Sequence, residues 1–115
     1  MSNNNIQIVA SPGSREGYTI LHVKGPLNIH TIFEFQSALR AETSPALVVD
    51  FTDVPFIDST GLGALVGAQV AAQKANSKLA FAGMNPQVKA LLDMTHVSQF
   101  FKVFPTVQDA EAAVS

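Results

Sequence analysis

The densest chemistry in this chain lies in Phe56-Ile57-Asp58-Ser59-Thr60-Gly61-Leu62-Gly63, where a carboxylate, two hydroxyls and two glycines stand together. A serine at a helix start exposes its hydroxyl while the first backbone N–H groups point outward, so an anion placed there meets a partial positive charge. The plainer chemistry is structural: Ser59 caps the helix and Asp58 complements its dipole. Residue types alone leave both open. Gly61, Gly63 and Gly67 each cost about 0.8–1 kcal/mol against alanine inside a helix, so something must offset them. Gly63, Gly67 and Ala71 recur every four residues as a flat strip for a second backbone, with internal packing on the sheet the commoner use. Gly61, in the first turn, lies too near the exposed end for packing alone to explain it.

This stretch needs a strand before it and a helix after it. Leu47-Val48-Val49-Asp50-Phe51 is an apolar run suited to a strand covered on both faces, which places it centrally in a parallel sheet. From Gly61 to about Ala75, Leu62, Leu65, Val66 and Val70 have helical spacing, and Asn76-Ser77 supplies a stop before a strand over Leu79 to Ala82. Upstream, Ile6 to Ala10 and Tyr18 to Lys24 form a hairpin around the turn formers Ser11 to Gly17. Thr31 and Glu34 have capping-box spacing before a helix that ends near Ala41, with Ile32, Phe35, Ala38 and Leu39 inward. Asn85 and Pro86 open a third helix that ends near Thr95, with Val88, Leu91 and Leu92 inward. A last strand over Phe100 to Phe104 stops at Pro105, and Thr106 caps a short helix that turns Val107, Ala110 and Val114 to the sheet. The order β-β-α-β-α-β-α-β-α predicts an α/β fold, a mixed five-stranded sheet with about four helices, as one domain over residues 1–115.

The Asp58-Ser59-Thr60-Gly61-Leu62-Gly63 segment, after Phe56-Ile57 and the strand Leu47 to Phe51, resembles the signature of STAS domains, in particular the bacterial anti-sigma factor antagonists. The likeness extends to Gly25-Pro26-Leu27-Asn28, to Asn85-Pro86-Gln87-Val88 and to Leu91-Leu92-Asp93-Met94-Thr95. It implies that Ser59 is phosphorylated by an anti-sigma factor with serine kinase activity and dephosphorylated by a phosphatase. It also implies that the bare form binds that anti-sigma factor and so frees a sigma factor. A phosphate adds about −1.5 to −2 charges and three acceptor oxygens, and no Lys or Arg lies within ten residues of Ser59 to receive them. The phosphate is therefore expected to act on the docking surface, by repulsion and bulk, with little refolding.

Partner contacts are expected from Asp58, Ser59, Thr60, Gly61, Asn28 and Phe56. Phe33 falls off the inner stripe of its helix and is a further candidate anchor. The family commonly has Gly-Glu-Leu/Ile-Asp before helix one, whereas Gly25-Pro26-Leu27-Asn28 lacks both acids, and Asn28 makes no charge-assisted pair with a partner's Arg or Lys. The alternative is a STAS scaffold subunit in a signalling assembly or the soluble component of a transport system.

Other functions fit less well. Seven bases stand singly at Arg15, Lys24, Arg40, Lys74, Lys78, Lys89 and Lys102, and the net charge is −2, so no patch for nucleic acid forms. Cysteine is absent, which excludes disulfides and thiolate sites. Met1-Ser2-Asn3-Asn4 does not begin like a leader, and no apolar run approaches the roughly 20 residues of a bilayer span, so a cytoplasmic protein without membrane insertion is expected. His22, His30 and His96 share no ligand spacing, and no metal or cofactor is expected. Gly61-Leu62-Gly63-Ala64-Leu65-Val66 lacks the third glycine of a dinucleotide loop. Asp58-Ser59-Thr60-Gly61 differs by one residue from the Asp-Thr/Ser-Gly of retroviral-type aspartic proteases, which are all-β. Gly-x-Ser-x-Gly is missing, no histidine has a recognisable context, and no enzyme activity is expected.

Overall fold

Strand β1 (Gln7–Pro12) and strand β2 (Tyr18–Lys24) form the opening hairpin, antiparallel in register Val9 to His22. The structure is a computed structural model that describes residues 5–114; the expectation of no leader falls on Met1 to Asn4, which lie outside the described residues. β1 runs two residues past the expected Ala10, because Ser11 and Pro12 still pair with Ile20 and Thr19. A proline is tolerated there because β1 is an edge strand, where a missing N–H breaks no ladder bond.

Helix α1 (Ile32–Ala41) leads to strand β3 (Ala46–Asp53), helix α2 (Ser59–Lys74) to strand β4 (Lys78–Ala82), and helix α3 (Pro86–Met94) to strand β5 (Val103–Phe104) and helix α4 (Val107–Ala113). The sheet order is β1-β2-β3-β4-β5, antiparallel at β1-β2 and parallel elsewhere, so β3 is central as its apolar run requires. Helices α1, α2 and α3 cover one face around Phe35, Leu65 and Val88. Helix α4 covers part of the other, with Ala110 and Val114 against Ile20, Val48 and Ala80. The Cα radius of gyration is 13.0 Å, close to the roughly 13 Å of a compact chain this long.

Four phenylalanines link the layers. Phe35 lies 6.1 Å from Phe51, Phe51 lies 5.5 Å from Phe81, and Phe81 lies 5.6 Å from Phe101, ring centre to ring centre. Their tilted and edge-on arrangement matches the ring quadrupoles. Seating Phe101 there shortens the last strand: residues Ser98–Phe100 form a 3-10 turn, and only Val103 and Phe104 pair with β4 instead of the expected Phe100 to Phe104.

Two local expectations change. Thr31 makes no capping bond to α1; its buried hydroxyl donates to Pro26 O at 2.8 Å and accepts the Asn28 N–H at 3.0 Å, so it closes the preceding turn. On α2 the buried set is Gly61, Ala64, Leu65 and Gln69, while Leu62, Val66 and Val70 are half-buried. The stop at Asn76 does form: Asn76 has φ +57° and Ser77 N–H donates to Ala72 O at 3.0 Å, a Schellman end.

Candidate functional site

Asp58, and not Ser59, is the N-cap of α2. Its extended backbone (φ −103°, ψ −172°) turns Oδ1 toward the Gly61 N–H, which donates at 2.9 Å, and its carbonyl accepts the Leu62 N–H at 2.9 Å. Aspartate competes well for this position because a carboxylate accepts strongly and also favours the positive helix end. Ser59 is thereby displaced into the first helical position. Its side chain is exposed, and no hydrogen bond engages its hydroxyl among the described residues.

The segment before Ser59 is held from two sides. Leu27 N–H donates to Phe56 O at 3.1 Å and Asp58 N–H donates to Leu27 O at 3.1 Å, a parallel bridge that joins the turn before α1 to the turn before α2. On the other side Asn85 does two jobs. Its Oδ1 caps α3 by accepting the Val88 N–H at 2.9 Å, while its Nδ2 donates to Val54 O at 3.2 Å and Pro55 O at 3.0 Å. A good N-cap was visible in Asn85-Pro86; the clamp on residues 54 and 55 was not, because it spans about thirty residues of chain.

Gly61 is buried, and a Cβ on it would stand 2.7 Å from Leu27 O and 3.1 Å from Leu27 Cβ. Packing therefore explains this glycine, contrary to the expectation for the first turn, and its share of the site is the N–H given to Asp58. The reverse holds for Gly63 and Gly67, beside which a Cβ would meet nothing within 4 Å. With Ala71 they form an open wall of a groove of about 470 Å³ between α1 and α2, floored by Leu47 and Leu79. The strip is not filled by the sheet.

Asn28 is 8% exposed, folded into its own turn with Oδ1 accepting the His30 N–H at 2.8 Å. Its neighbour Ile29, which the sequence reading passed over, is 63% exposed, and Phe33 and Phe56 are 74% and 46% exposed. These three apolar side chains stand at the carboxyl ends of β2 and β3, the same sheet edge as Ser59. Thr60 and Asp58 are partly exposed there. Among the described residues no three His, Cys, Asp or Glu side chains gather to hold a metal, and no helix is long and apolar enough to cross a membrane.

Comparison with known proteins agrees with this architecture. The chain is 29% identical over 93 residues to the anti-sigma F factor antagonist of Paenibacillus polymyxa, covering 77% of each chain. It is 29% identical over 91 residues to the anti-sigma-B factor antagonist of Listeria monocytogenes, covering 79% of this chain and 72% of the relative. The crystal structure of an anti-sigma factor antagonist from Mycobacterium paratuberculosis superposes with a TM-score of 0.86 at 24% identity, over 98% of this chain and 97% of that one. The STAS domain family model matches residues 6–110, and the chain belongs to the STAS domain family.

Proposed function

We propose that the protein is an anti-sigma factor antagonist whose docking is switched by phosphorylation of Ser59. Bare, it binds an anti-sigma factor that is itself a serine kinase, and so frees a sigma factor in the cytoplasm. Phosphorylated, it lets go, until a phosphatase acting on Ser59 resets it. The observation that carries this reading is the free, exposed Ser59 hydroxyl, available because Asp58 has taken over the cap.

The surroundings favour a switch of contact over a switch of fold. Ile29, Phe33 and Phe56 offer apolar anchors on the same edge, with Asp58 and Thr60 beside the serine and Asn28 and Gly61 shaping the turns that present them. A phosphate on Ser59 would change the net charge from −2 to about −4, next to the Asp58 carboxylate and with no Lys or Arg within ten residues along the chain. Burying that charged group against an apolar partner carries a far larger desolvation cost than burying the bare hydroxyl.

The test is affinity capture from the native cell with unmodified protein and with Ser59→Asp, with captured proteins identified by mass spectrometry. The expected result is a serine kinase freed of its sigma factor on the unmodified bait and loss of the kinase on Ser59→Asp. Equal capture by both baits overturns the switch, and recovery of transporter subunits in place of a kinase favours the transport-system reading.

A further inference from the structure

The uncovered part of the opposite sheet face carries a line of polar side chains across β1, β2 and β3. Ile20 and Val48 face α4, so His22 and Asp50, two positions further along their strands, lie on that same face. His22 and Asp50 are register partners. His22 Nδ1 lies 3.0 Å from Asp50 Oδ2, and His22 Nε2 lies 3.0 Å from Ser11 Oγ. The other Asp50 oxygen, Oδ1, accepts the Thr52 N–H at 3.0 Å and the Thr52 hydroxyl at 2.6 Å.

These bonds decide which way the protons point. Burial alone would raise the Asp50 pKa, but the Thr52 hydroxyl and N–H and the His22 ring outweigh it and hold the carboxyl below its ordinary value. An ionised carboxylate only accepts, so the proton of a neutral His22 ring sits on Nδ1 and the Nε2 lone pair faces Ser11. Ser11 then donates its hydroxyl proton to Nε2. The backbone makes room for this arrangement: Gly83 has φ +74°, and a Cβ there would run into Thr52 Oγ1 and stand 3.2 Å from Asp50 Oδ1. The acid end is sheltered and the base end open, with side-chain exposures of 16% for Asp50 and 45% for His22.

We infer that Ser11, His22 and Asp50 act as nucleophile, general base and orienting acid, and that Ser11 takes acyl groups from small carboxylic esters. The Ser11 Oγ forms a bond to the acyl carbon as its proton passes to His22 Nε2. The ester C–O bond breaks, and the alcohol leaves with that proton. Water then adds to the acyl carbon and gives a proton to Nε2. The bond to Oγ breaks, the proton returns to Ser11, and a carboxylic acid is released. Asp50 stays ionised throughout, fixing the ring and offsetting the imidazolium charge. Nothing in this activity depends on Ser59 or on the docking surface.

The experiment uses p-nitrophenyl acetate with the full chain, following nitrophenolate release and mapping the acetyl group by peptide mass spectrometry. Acetyl-Ser11 is expected, with release lowered about a hundredfold in Ser11→Ala and in His22→Gln, the scale of a lost nucleophile or base. His96→Asn, an exposed histidine at φ +60° where asparagine is tolerated, is expected to leave the rate unchanged. As a positioning residue, Asp50 is read by nitrogen NMR of the His22 ring: the Nδ1–H tautomer in the natural chain, and loss of its dominance in Asp50→Asn. Release by a folded Ser11→Ala at the natural rate, or acetyl found only on other side chains, overturns the assignment.

Discussion

The carbonyl oxygen of Leu27 sits 2.7 Å from the point where a side chain on Gly61 would begin, and the same oxygen accepts the Asp58 N–H at 3.1 Å. One backbone atom thus bears on both the cap of α2 and the absence of a side chain at position 61. Leu27 O belongs to a backbone held by hydrogen bonds, so it yields less readily than a flexible side chain.

Gly61→Ala should therefore destabilise the protein by about 1–3 kcal/mol, the usual range for overpacking. Gly63→Ala and Gly67→Ala face open space and should each stabilise it by up to about 1 kcal/mol through helix propensity. Urea unfolding midpoints measure all three. A loss of stability in either groove variant would show that the wall of the groove is not free.

The cap and the proposed switch fall on adjacent residues and separate by mutation. Asp58→Ala should cost about 1 kcal/mol, because it removes the acceptor of the Gly61 N–H. Ser59→Ala should stay within about 0.5 kcal/mol of the natural chain. Thermal unfolding of the pair checks this, and a larger loss in Ser59→Ala would return the capping role to the serine.

Asp50 gives the acid limb of the stability curve a specific contributor. Its folded pKa lies below its unfolded value, so between the two the unfolded chain binds more protons. Its stabilisation is complete above the ordinary aspartate value of about 3.9 and is lost as pH falls through the lower folded value. Asp50→Asn should flatten the acid limb, as measured by unfolding at a series of pH values between neutral and acid. An unchanged slope below pH about 4 would mean that the Thr52 and His22 bonds do not hold the carboxylate.

Two rings on α1 should behave oppositely. Phe35 is fully buried and packs on Phe51, so Phe35→Ala should cost about 3–5 kcal/mol. Phe33 is 74% exposed, so Phe33→Ser should leave stability within about 0.5 kcal/mol while weakening capture of the partner. Unfolding midpoints and affinity capture, run on the same samples, distinguish folding from docking.

Periodicity made most elements legible: the apolar run at Leu47 to Phe51 gave a central strand, and Asn85-Pro86 and Thr106 gave helix starts where helices start. What stayed hidden depended on contacts between distant segments. Thr31 looked like a cap until its hydroxyl found Pro26 O, and Gly61 looked functional until Leu27 lay against it. Spacing also offered no sign that Ser11, His22 and Asp50 meet, since hairpin and crossover register alone brings them together. At the candidate site the segment itself was readable, but the choice between Asp58 and Ser59 as cap turned on which side chain accepts the Gly61 N–H. Ile29 was missed because a lone apolar residue in a turn carries no periodic signal.

The ladder of Phe35, Phe51, Phe81 and Phe101 runs from α1 through the two central strands to the turn before β5, with no slack for those elements to slide. The turns before α1 and α2 adjoin that spine, so under the proposed switch a Ser59 phosphate should leave the outline of the molecule unchanged. A partner would then have to tell the two forms apart by touch, through charge and hydration, and an inhibitor shaped to one form would fit the other unless it too sensed the phosphate.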